Sequence, residues 1–185
     1  MRATRRALSL RDRRQAAMRL ALALGRYRRF NRSLRVGVFF ANDGEMDLSH
    51  LIRRAWRLGK TCFLPLVRGK HARTMRFAPY QPNDTLRRNR FGIPEPLTHS
   101  VRTLSARDLD LVLVPLVAFD GAGHRVGMGG GFYDRTFAFM HRRRYLRKPY
   151  LMGIAFEFQR MSTIEPQAWD VRLHAACTER GVTEF

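Results

Sequence analysis

The sequence predicts an α/β fold: a three-layer α/β/α arrangement around a mostly parallel sheet, in one Rossmann-like domain spanning residues 1–185. Segments with strand-like and helix-like periodicity alternate along the chain, as they do where helices cover a parallel sheet. The run Leu-Val-Leu-Val at 111–114 is apolar on both faces, which is typical of a strand buried between two layers. A chain of 185 residues, 45% of them hydrophobic, is long enough to bury a substantial core.

The amino-terminal segment is strongly basic, since residues 1–35 contain twelve arginines and one acidic residue, Asp12. Ser9 and Asp12 have the spacing of a helix-capping box. Apolar residues then recur at helical spacing, namely Ala17, Leu20, Ala21, Leu24 and Tyr27. We therefore predict a helix over residues 10–30 with its arginines on the outer face. That face is either a solvated charged surface or an RNA-binding arm, and the lack of aromatic residues spaced for base stacking favours the former.

The remaining elements follow from apolar runs and turn residues. The predicted strands are 34–40, 61–67, 74–80, 110–115, 150–156 and 180–185. A helix over 48–58 is expected to be capped by Asp47 and to end at Gly59. A second amphipathic stretch, 132–143, follows a glycine-rich turn. Residues 81–104 are rich in proline and turn-forming residues, so we predict an irregular segment there.

The carboxyl ends of the predicted strands lead into four loops, 41–47, 68–73, 116–131 and 157–170. Ligands of parallel sheets bind beyond these ends of the strands. We therefore expect the four loops to converge on one rim of the sheet. That rim is expected to hold Glu45, a basic loop, a glycine-rich loop and Asp170.

The segment from Arg125 to Asp134 is the clearest candidate for a binding loop, because four of the five positions from Gly127 to Gly131 are glycine. Glycines let backbone N–H groups approach a phosphate closely, and a helix that begins after the loop adds partial positive charge. The loop lacks the Gly-Lys-Ser/Thr ending of a Walker A motif, and Phe132 stands where the dinucleotide fingerprint has its last glycine. The alternative interpretation is a tight turn without a ligand.

Acidic residues near these loops are candidates for metal and ligand binding. Asp134 and Asp170 are candidate magnesium ligands, because magnesium on a nucleotide needs only one or two carboxylates. The structural alternatives are that Asp134 is a first-turn acid interacting with the helix dipole and that Asp170 caps a turn. Glu45 shares its loop with Asp43 and Asp47, and is either a ligand-binding residue or a solvated loop residue.

The balance of 35 basic and 15 acidic residues gives a net charge of +20. Such a charge favours anionic partners: nucleotides, polyanionic metabolites, nucleic acids or anionic membrane surfaces. The two cysteines, Cys62 and Cys177, lack zinc-site spacing, and no apolar segment approaches the ~20 residues that span a bilayer. The basic amino terminus lacks the apolar region of a secretory signal. We expect a cytoplasmic monomer with small-molecule substrates, no membrane partner and only weak, non-specific binding of polyanions.

Two neighbouring motifs, Leu113–Asp120 and Arg125–Arg135, resemble the signature of the 5-formyltetrahydrofolate cyclo-ligase family, also called methenyltetrahydrofolate synthetases. Shorter similar segments run along the chain: Arg5–Ser9, Gly44–Asp47, Gly59–Lys60, Leu64–Pro65, Glu95–Pro96 and Trp169–Asp170. The resemblance therefore extends over essentially the whole chain, and its glycine-rich motif is highly specific.

The resemblance implies an ATP- and magnesium-dependent ligase of folate one-carbon metabolism. Such an enzyme converts 5-formyltetrahydrofolate to 5,10-methenyltetrahydrofolate through a phosphorylated formyl intermediate and releases ADP and phosphate. Arg125 and Tyr133 are implied to be catalytic, and Asp134 and Asp170 to hold magnesium. The ATP phosphates are expected to contact Arg125, Val126, Gly127, Met128, Gly129, Gly130, Gly131, Phe132 and Tyr133.

The resemblance also implies a folate site with Glu45 hydrogen-bonded to the pterin, whose amino and ring N–H groups match a carboxylate. The reduced folate is expected to contact Phe40, Glu45, Met128, Gly129, Gly130, Gly131 and Phe132. Val126 and Phe132 differ from the usual leucine and tyrosine of the family, and the missing hydroxyl removes one possible hydrogen bond.

A second departure from the family lies at the amino terminus. The family often has a basic pair on an amino-terminal extension that contacts ATP, and this chain begins too late to carry the pair in register. Arg2, Arg5 and Arg6 are the candidates to replace it. Two other functions compete with the ligase: a basic RNA-associated protein without folate chemistry, and a nucleotide-binding relative that has lost folate chemistry.

Overall fold

The computed structural model describes residues 1–67, 69, 71–90, 92–97, 103–142 and 148–185. Its strands are β1 Arg35–Gly37, β2 Thr61–Leu66, β3 Arg76–Tyr80, β4 Leu86–Arg88, β5 Pro94–Pro96, β6 Leu111–Pro115, β7 Ala118–Phe119, β8 Arg125–Val126, β9 Tyr150–Ile154, β10 Ala175–Thr178 and β11 Gly181–Glu184. Its α-helices are α1 Arg2–Ala7, α2 Leu10–Arg26, α3 Arg28–Arg32, α4 Ser49–Arg57 and α5 Phe132–Phe137. Short 3₁₀ turns cover Ala106–Asp108, Ala138–Arg142 and Glu157–Gln159.

One seven-stranded sheet organises the chain, with the strand order β11-β10-β9-β6-β1-β2-β3. The five inner strands run parallel to one another, whereas β3 and β11 pair antiparallel at the two edges. The predicted α/β fold with a mostly parallel sheet is therefore confirmed. Two small ladders lie outside this sheet, β4 with β5 and β7 with β8.

The sheet is buried on both faces, and alternate residues of its central strand β6 belong to two different hydrophobic cores. Leu111 and Leu113 of β6 belong to the core that includes the apolar faces of α2 and α4. Val112 and Val114 belong to the core on the other side, which includes Phe137 of α5 and the loops that cover that face. These four side chains are at most 1% exposed. The apolar run at 111–114 therefore predicted the three-layer position of β6 correctly.

The first predicted helix, 10–30, is two helices in the structure. Tyr27 adopts an extended conformation between α2 and α3, and its hydroxyl contacts both the Tyr150 hydroxyl, at 3.0 Å, and the Glu184 carboxylate. These partners are more than 100 residues away in sequence, so local periodicity does not reveal the break. The capping box is also incomplete, because the Ser9 hydroxyl accepts from the Asp12 N–H but donates to the Asp12 carboxylate.

Three further expectations need correction. Residues 81–104 are not wholly irregular, since β4 and β5 pair as a hairpin in which extended proline residues face Leu86 and Arg88. The helix predicted over 132–143 is shorter, because α5 ends at Phe137 and continues as a 3₁₀ turn. Strand β10 was not predicted; its sequence Ala-Ala-Cys-Thr is buried on both faces and has no polar alternation.

The centre of the sheet is a topological switch point. From β1 the chain continues outward to β2 and β3, whereas from the adjacent β6 it continues to β9, β10 and β11 in the opposite direction. Loops that leave the carboxyl ends of β1 and β6 therefore diverge and open a crevice between them. Within the described residues, no helix combines the length and apolarity that a membrane span requires.

Candidate functional site

A cavity of about 430 Å³ lies at this switch point. Its lining includes most of the predicted site residues, namely Phe40, Glu45, Arg125, Gly127, Met128, Gly130, Gly131, Phe132, Tyr133 and Asp134. The loop after β1 and the segment after β6 are thus brought together as expected for the rim. Three predicted residues, Val126, Gly129 and Asp170, are not part of the cavity lining.

The glycine loop is held in a conformation that only glycine adopts readily. Gly129 and Gly131 have positive φ angles of 87° and 60°. Side chains added at Gly127 or Gly129 meet no other atom within 4 Å, so the backbone there borders open space. The Arg135 guanidinium bonds the Gly130 carbonyl at 2.5 Å and the Arg73 carbonyl at 2.8 Å. Arg135 therefore holds the loop on one side, and the backbone at Gly127 and Gly129 remains accessible.

Arg125 and Asp134 form a partly buried ion pair that brackets this loop, with the Arg125 side chain 5% and the Asp134 side chain 23% exposed. The Arg125 Nη2 lies 2.5 Å from Asp134 Oδ1, and its Nη1 donates to the Val171 carbonyl. The Val171 N–H donates back to Asp134 Oδ1 at 3.3 Å. One carboxylate oxygen of Asp134 is thus saturated, while no donor from the described residues reaches Oδ2. Arg125 orients Asp134 and leaves one oxygen of the carboxylate available.

Asp170 directly precedes Val171 in the sequence, and Val171 contacts both Arg125 and Asp134. Its carboxylate accepts the Gln167 N–H at 2.9 Å, which is the turn-capping contact considered above as the structural alternative. In the described part of the chain, no cluster of three or more His, Cys, Asp or Glu residues could hold a metal ion. Any metal at this site must therefore take ligands from substrate or water in addition to carboxylates.

Glu45 is held in a shielded position at the other side of the cavity. The Asn42 N–H donates to its Oε2 at 3.1 Å, and its side chain is 10% exposed. Burial raises the pKa of the Glu45 carboxyl above its ordinary value, whereas the Asn42 N–H and the Arg5 guanidinium oppose this shift. Glu45 is consequently a desolvated carboxylate aimed into a cavity, unlike the solvated loop residue that was the alternative.

Tyr133 lines the same cavity as Glu45 and stacks on Phe137 with 6.2 Å between the ring centroids. Burial, followed by the negative charge of Glu45, raises the pKa of the Tyr133 phenol well above its ordinary value. The phenol is therefore protonated at neutral pH and can donate a hydrogen bond, but it cannot serve as a base.

Arg5, which the sequence offered with Arg2 and Arg6 as a candidate for the missing ATP contacts, is buried in the structure at 1% exposure. Its Nε donates to the Asp43 carbonyl at 2.9 Å and its Nη1 to the Leu116 carbonyl at 3.1 Å. Its Nη2 contacts Asp43 Oδ2 at 3.1 Å. One arginine among the twelve in this segment gives no local sign of burial, although the similarity of Arg5–Ser9 to the family marked the region.

The β4–β5 hairpin supplies a cavity wall that was also missed. Asn89, Ile93 and Glu95 line the cavity from this side. Glu95 Oε1 accepts from the Val67 N–H at 3.3 Å and from Asn89 Nδ2 at 2.7 Å, so it ties the hairpin to the carboxyl end of β2. Glu95–Pro96 was among the segments similar to the family, which is the signal that pointed here. Arg68 and Lys70 of the predicted basic loop lie outside the described residues.

Asp120 of the signature motif has a structural role. It is 2% exposed, and its carboxylate accepts N–H groups of Ala122, His124 and Ile164, each at 2.9 Å. Burial acts to raise the pKa of Asp120, but these bonds and that of the His124 ring outweigh it and hold the pKa below its ordinary value. Asp120 therefore fixes the turn that leads into β8 and the glycine loop.

Comparisons with known proteins point to one family. A sequence model of the 5-formyltetrahydrofolate cyclo-ligase family matches residues 1–179. The chain is 39% identical over 150 residues to the 5-formyltetrahydrofolate cyclo-ligase of Escherichia coli K12, covering 81% of this chain and 80% of the relative. It is 34% identical over 138 residues to that of Haemophilus influenzae, covering 75% and 72%. The NMR structure of the 5,10-methenyltetrahydrofolate synthetase of Aquifex aeolicus is similar with a TM-score of 0.82 and 29% identity, covering 99% of this chain and 88% of that one.

Proposed function

Because the chain belongs to the 5-formyltetrahydrofolate cyclo-ligase family and is an enzyme of that kind, we propose that it uses ATP and magnesium to close the ring of 5-formyltetrahydrofolate. The products are 5,10-methenyltetrahydrofolate, ADP and phosphate. Residues 1–185 work as one domain in this proposal, with both substrates bound at the switch point of the sheet.

The observation that carries the proposal is a single cavity with two chemically different walls. One wall presents Glu45 and Phe40 from the segment after β1. The other presents the glycine loop and Asp134 from the segment after β6. A reaction between a reduced folate and a nucleoside triphosphate requires the two ligands to meet, and a cavity with one wall suited to each ligand allows this. A volume of about 430 Å³ suits the bicyclic head of a folate with the terminal phosphate beside it.

The Glu45 wall supports binding of the pterin. A buried carboxylate accepts N–H donors, and the pterin presents an amino group and a ring N–H side by side. Apolar side chains line the same cavity, among them Phe39, Phe40, Leu64 and Ile93. The Phe40 ring is fixed edge-on to Tyr80, with 5.2 Å between their centroids. A flat heterocycle is therefore held by one polar contact and apolar faces.

The glycine-loop wall supports binding of the phosphates. A Cβ added at Gly127 or Gly129 would meet no other atom within 4 Å, so the space beside the backbone there is open to phosphate oxygens. Asp134 Oδ2 fits a magnesium ion, since that oxygen has no donor among the described residues while Oδ1 is held by Arg125. In this proposal Asp170 supplies a second carboxylate after leaving its turn contact. When bound, magnesium neutralises charge on the phosphate oxygens.

The proposed reaction needs positioning rather than a protein nucleophile. The formyl oxygen attacks the terminal phosphorus of ATP and ADP leaves, which activates the formyl carbon. The side-arm nitrogen N10 then attacks that carbon, phosphate departs, and the N10 proton is released. Tyr133 lines the cavity, and its protonated phenol donates a hydrogen bond to an oxygen that becomes more negative during the reaction. Arg125 keeps the Asp134 carboxylate aligned.

The test is an assay of purified protein with 5-formyltetrahydrofolate, ATP and magnesium, followed by the near-ultraviolet absorbance of the methenyl product. We expect product only when all three are present. Absence of product under these conditions would contradict the proposed reaction. Equal turnover in excess chelator would show that the reaction does not need magnesium. Product formed without ATP would contradict the phosphorylated intermediate.

A further inference from the structure

The guanidinium of Arg5 is buried beneath the cavity and contacts three segments that are far apart in sequence. We propose that Arg5 is the positioning residue for Glu45: it fixes the loop that carries Glu45 and keeps a positive charge beside its carboxylate. This inference rests on the proposed role of Glu45 in folate binding, and it assigns to Arg5 a part in substrate recognition without contact to substrate.

The contacts of Arg5 explain how one residue can set the shape of the site. Its Nη1 bonds the Leu116 carbonyl at the end of β6, and its Nε and Nη2 bond the carbonyl and carboxylate of Asp43. Nη2 also lies 3.9 Å from the Met128 sulfur in the glycine loop. Arg5 therefore joins the two loops that diverge at the switch point, and the width between the cavity walls depends on it.

The placement of Glu45 relative to Arg5 indicates an electrostatic role as well. Arg5 Nη1 lies 4.0 Å from Glu45 Oε1, which is too long for a hydrogen bond but close enough for strong attraction in a shielded site. The Asn42 N–H occupies Oε2, and no donor from the described residues reaches Oε1. Oε1 is thus free to accept a substrate N–H while the cation behind it favours the ionised form.

The packing of α1 on the loop argues that this arrangement is built rather than incidental. Asp43 forms ion pairs with three arginines, with Arg2 Nε at 2.7 Å and Arg6 Nη1 at 3.4 Å in addition to Arg5. Asp43 has a positive φ of 49°, an uncommon conformation for a residue other than glycine. A side chain at Gly44 would meet the Arg5 carbonyl at 3.0 Å, so helix and loop are in close contact.

The charges around Glu45 decide what loss of Arg5 does. The groups that face Glu45 are Arg5 from α1, Asp43 from its own loop and Tyr133 from α5. Arg125, Asp134 and Glu95 line the same cavity. Without Arg5, burial and the negative charge of Asp43 both favour protonated Glu45, so the pKa of Glu45 rises. Folate binding, which needs the carboxylate, is then lost at a higher pH as the solution is acidified.

The experiment compares Arg5→Gln with Arg6→Gln, which removes one arginine from the same helix and the same Asp43 cluster without touching Glu45. We expect Arg5→Gln to move the acid limb of kcat/KM for 5-formyltetrahydrofolate to higher pH and to raise the folate KM about ten-fold at neutral pH. Arg6→Gln leaves that acid limb in place. A profile for Arg5→Gln that is lower at every pH with an unmoved acid limb would overturn the inference, since a purely structural residue behaves that way.

A second variant, Arg5→Lys, keeps the test decisive if thermal unfolding shows that Arg5→Gln does not fold. Lysine keeps the charge but cannot bond Leu116 and both groups of Asp43 at once, so we expect a raised folate KM with an unmoved acid limb. The rise should disappear when Arg5→Lys is combined with Glu45→Gln, because the effect acts through Glu45. Additive effects would overturn the inference.

The Glu45→Gln variant alone separates this inference from the proposed function. If Glu45→Gln weakens folate binding while the Arg5 effects are additive to it, the folate site stands and only the role of Arg5 is wrong. If Glu45→Gln leaves the folate KM unchanged, both the folate role of Glu45 and the inference about Arg5 are wrong.

Discussion

The two walls of the cavity are built by different means. The glycine-loop wall comes from one continuous segment, Arg125–Asp134, most of whose residues line the cavity. The Glu45 wall depends on side chains from separate parts of the chain, with Arg5 of α1 and the carbonyl of Leu116 holding the loop in place. The first wall is consequently sensitive to backbone conformation, and the second to buried charge. The same crevice therefore contains a local motif and a long-range one.

The largest effect is expected at the junction of the glycine loop with α5. Asp134→Asn keeps the shape of the side chain but removes its charge, so the pair with Arg125 and the proposed magnesium contact are both weakened. We expect turnover to fall about 100-fold, and the melting temperature to fall as well, because the Arg125 guanidinium loses its charged partner. Initial rates over a magnesium series and thermal unfolding measure the two quantities. A magnesium dependence identical to that of the unsubstituted protein would instead show that Asp134 is a structural acid at the helix start.

Asp170→Asn is the matched comparison for that variant. If Asp170 is the second magnesium ligand, the magnesium concentration needed for half-maximal turnover rises in both variants. A magnesium requirement that Asp170→Asn leaves unchanged would restrict the metal site to Asp134 and leave Asp170 as the cap of the Gln167 turn.

A smaller and more selective effect is expected at the opposite wall. Glu45→Gln loses a charge-assisted hydrogen bond of about 1.5–3 kcal/mol, so folate affinity should fall roughly ten- to a hundred-fold. ATP affinity should remain nearly unchanged, because Glu45 lies on the wall away from the glycine loop. Titration of each substrate separately measures both constants. Equal weakening of both ligands would mean that the two walls do not act independently.

The dependence of the glycine loop on backbone conformation is tested by Gly129→Ala. Gly129 has a φ of 87°, and alanine in the left-handed region costs about 1–2 kcal/mol, so ATP affinity should fall roughly ten-fold. Gly121→Ala is the control, because Gly121 has neither a positive φ nor an atom within 4 Å of an added side chain. An unchanged KM for ATP in Gly129→Ala would indicate that the loop does not need its present conformation to bind phosphate.

The smallest expected effect is the change in turnover with salt concentration, which we compare with the salt dependence of RNA binding by the basic surface of α2. Its exposed arginines should bind RNA weakly and without sequence preference, with a log–log salt slope of roughly 0.7–0.9 per phosphate contact. Turnover should fall much less between low and physiological salt, since a Debye length of about 8 Å screens exposed charges most. Filter binding and the methenyl assay on one preparation make the comparison. Tight, sequence-selective RNA binding at physiological salt would contradict this prediction.

The distinction between local and long-range contacts also explains which features could be predicted from the sequence. Strand β6 and the glycine loop were predicted because their signal lies in contiguous residues, an apolar run followed by glycines. The break at Tyr27 was missed because the partners of its hydroxyl are more than 100 residues away. The burial of Arg5 was missed because its partners Asp43 and Leu116 are 38 and 111 residues away. The β4–β5 hairpin was missed for a different reason, since prolines that usually mark irregular chain here occupy an extended strand.

The site residues divide in the same way. The resemblance to the ligase family pointed to Glu45, and the structure explains why a loop glutamate can be a binding group: burial and an N–H donor hold it in place. Composition could not distinguish Arg5 from the arginines of α2 that remain in solvent. Asp120 shows the reverse case, because a residue of the signature motif Leu113–Asp120 fixes a turn and does not line the cavity.

The contact between Arg5 and Leu116 also has a consequence for the order of folding. The two residues are separated by 111 positions, and Arg5 and Met128 by 123. Contacts over such distances close large loops and therefore form late, after local helices and hairpins. During synthesis Asp43 becomes available to Arg5 early, whereas Leu116 and Met128 follow only much later. We therefore expect helical signal to return early in refolding, and the ability to bind folate to appear only in the last kinetic phase.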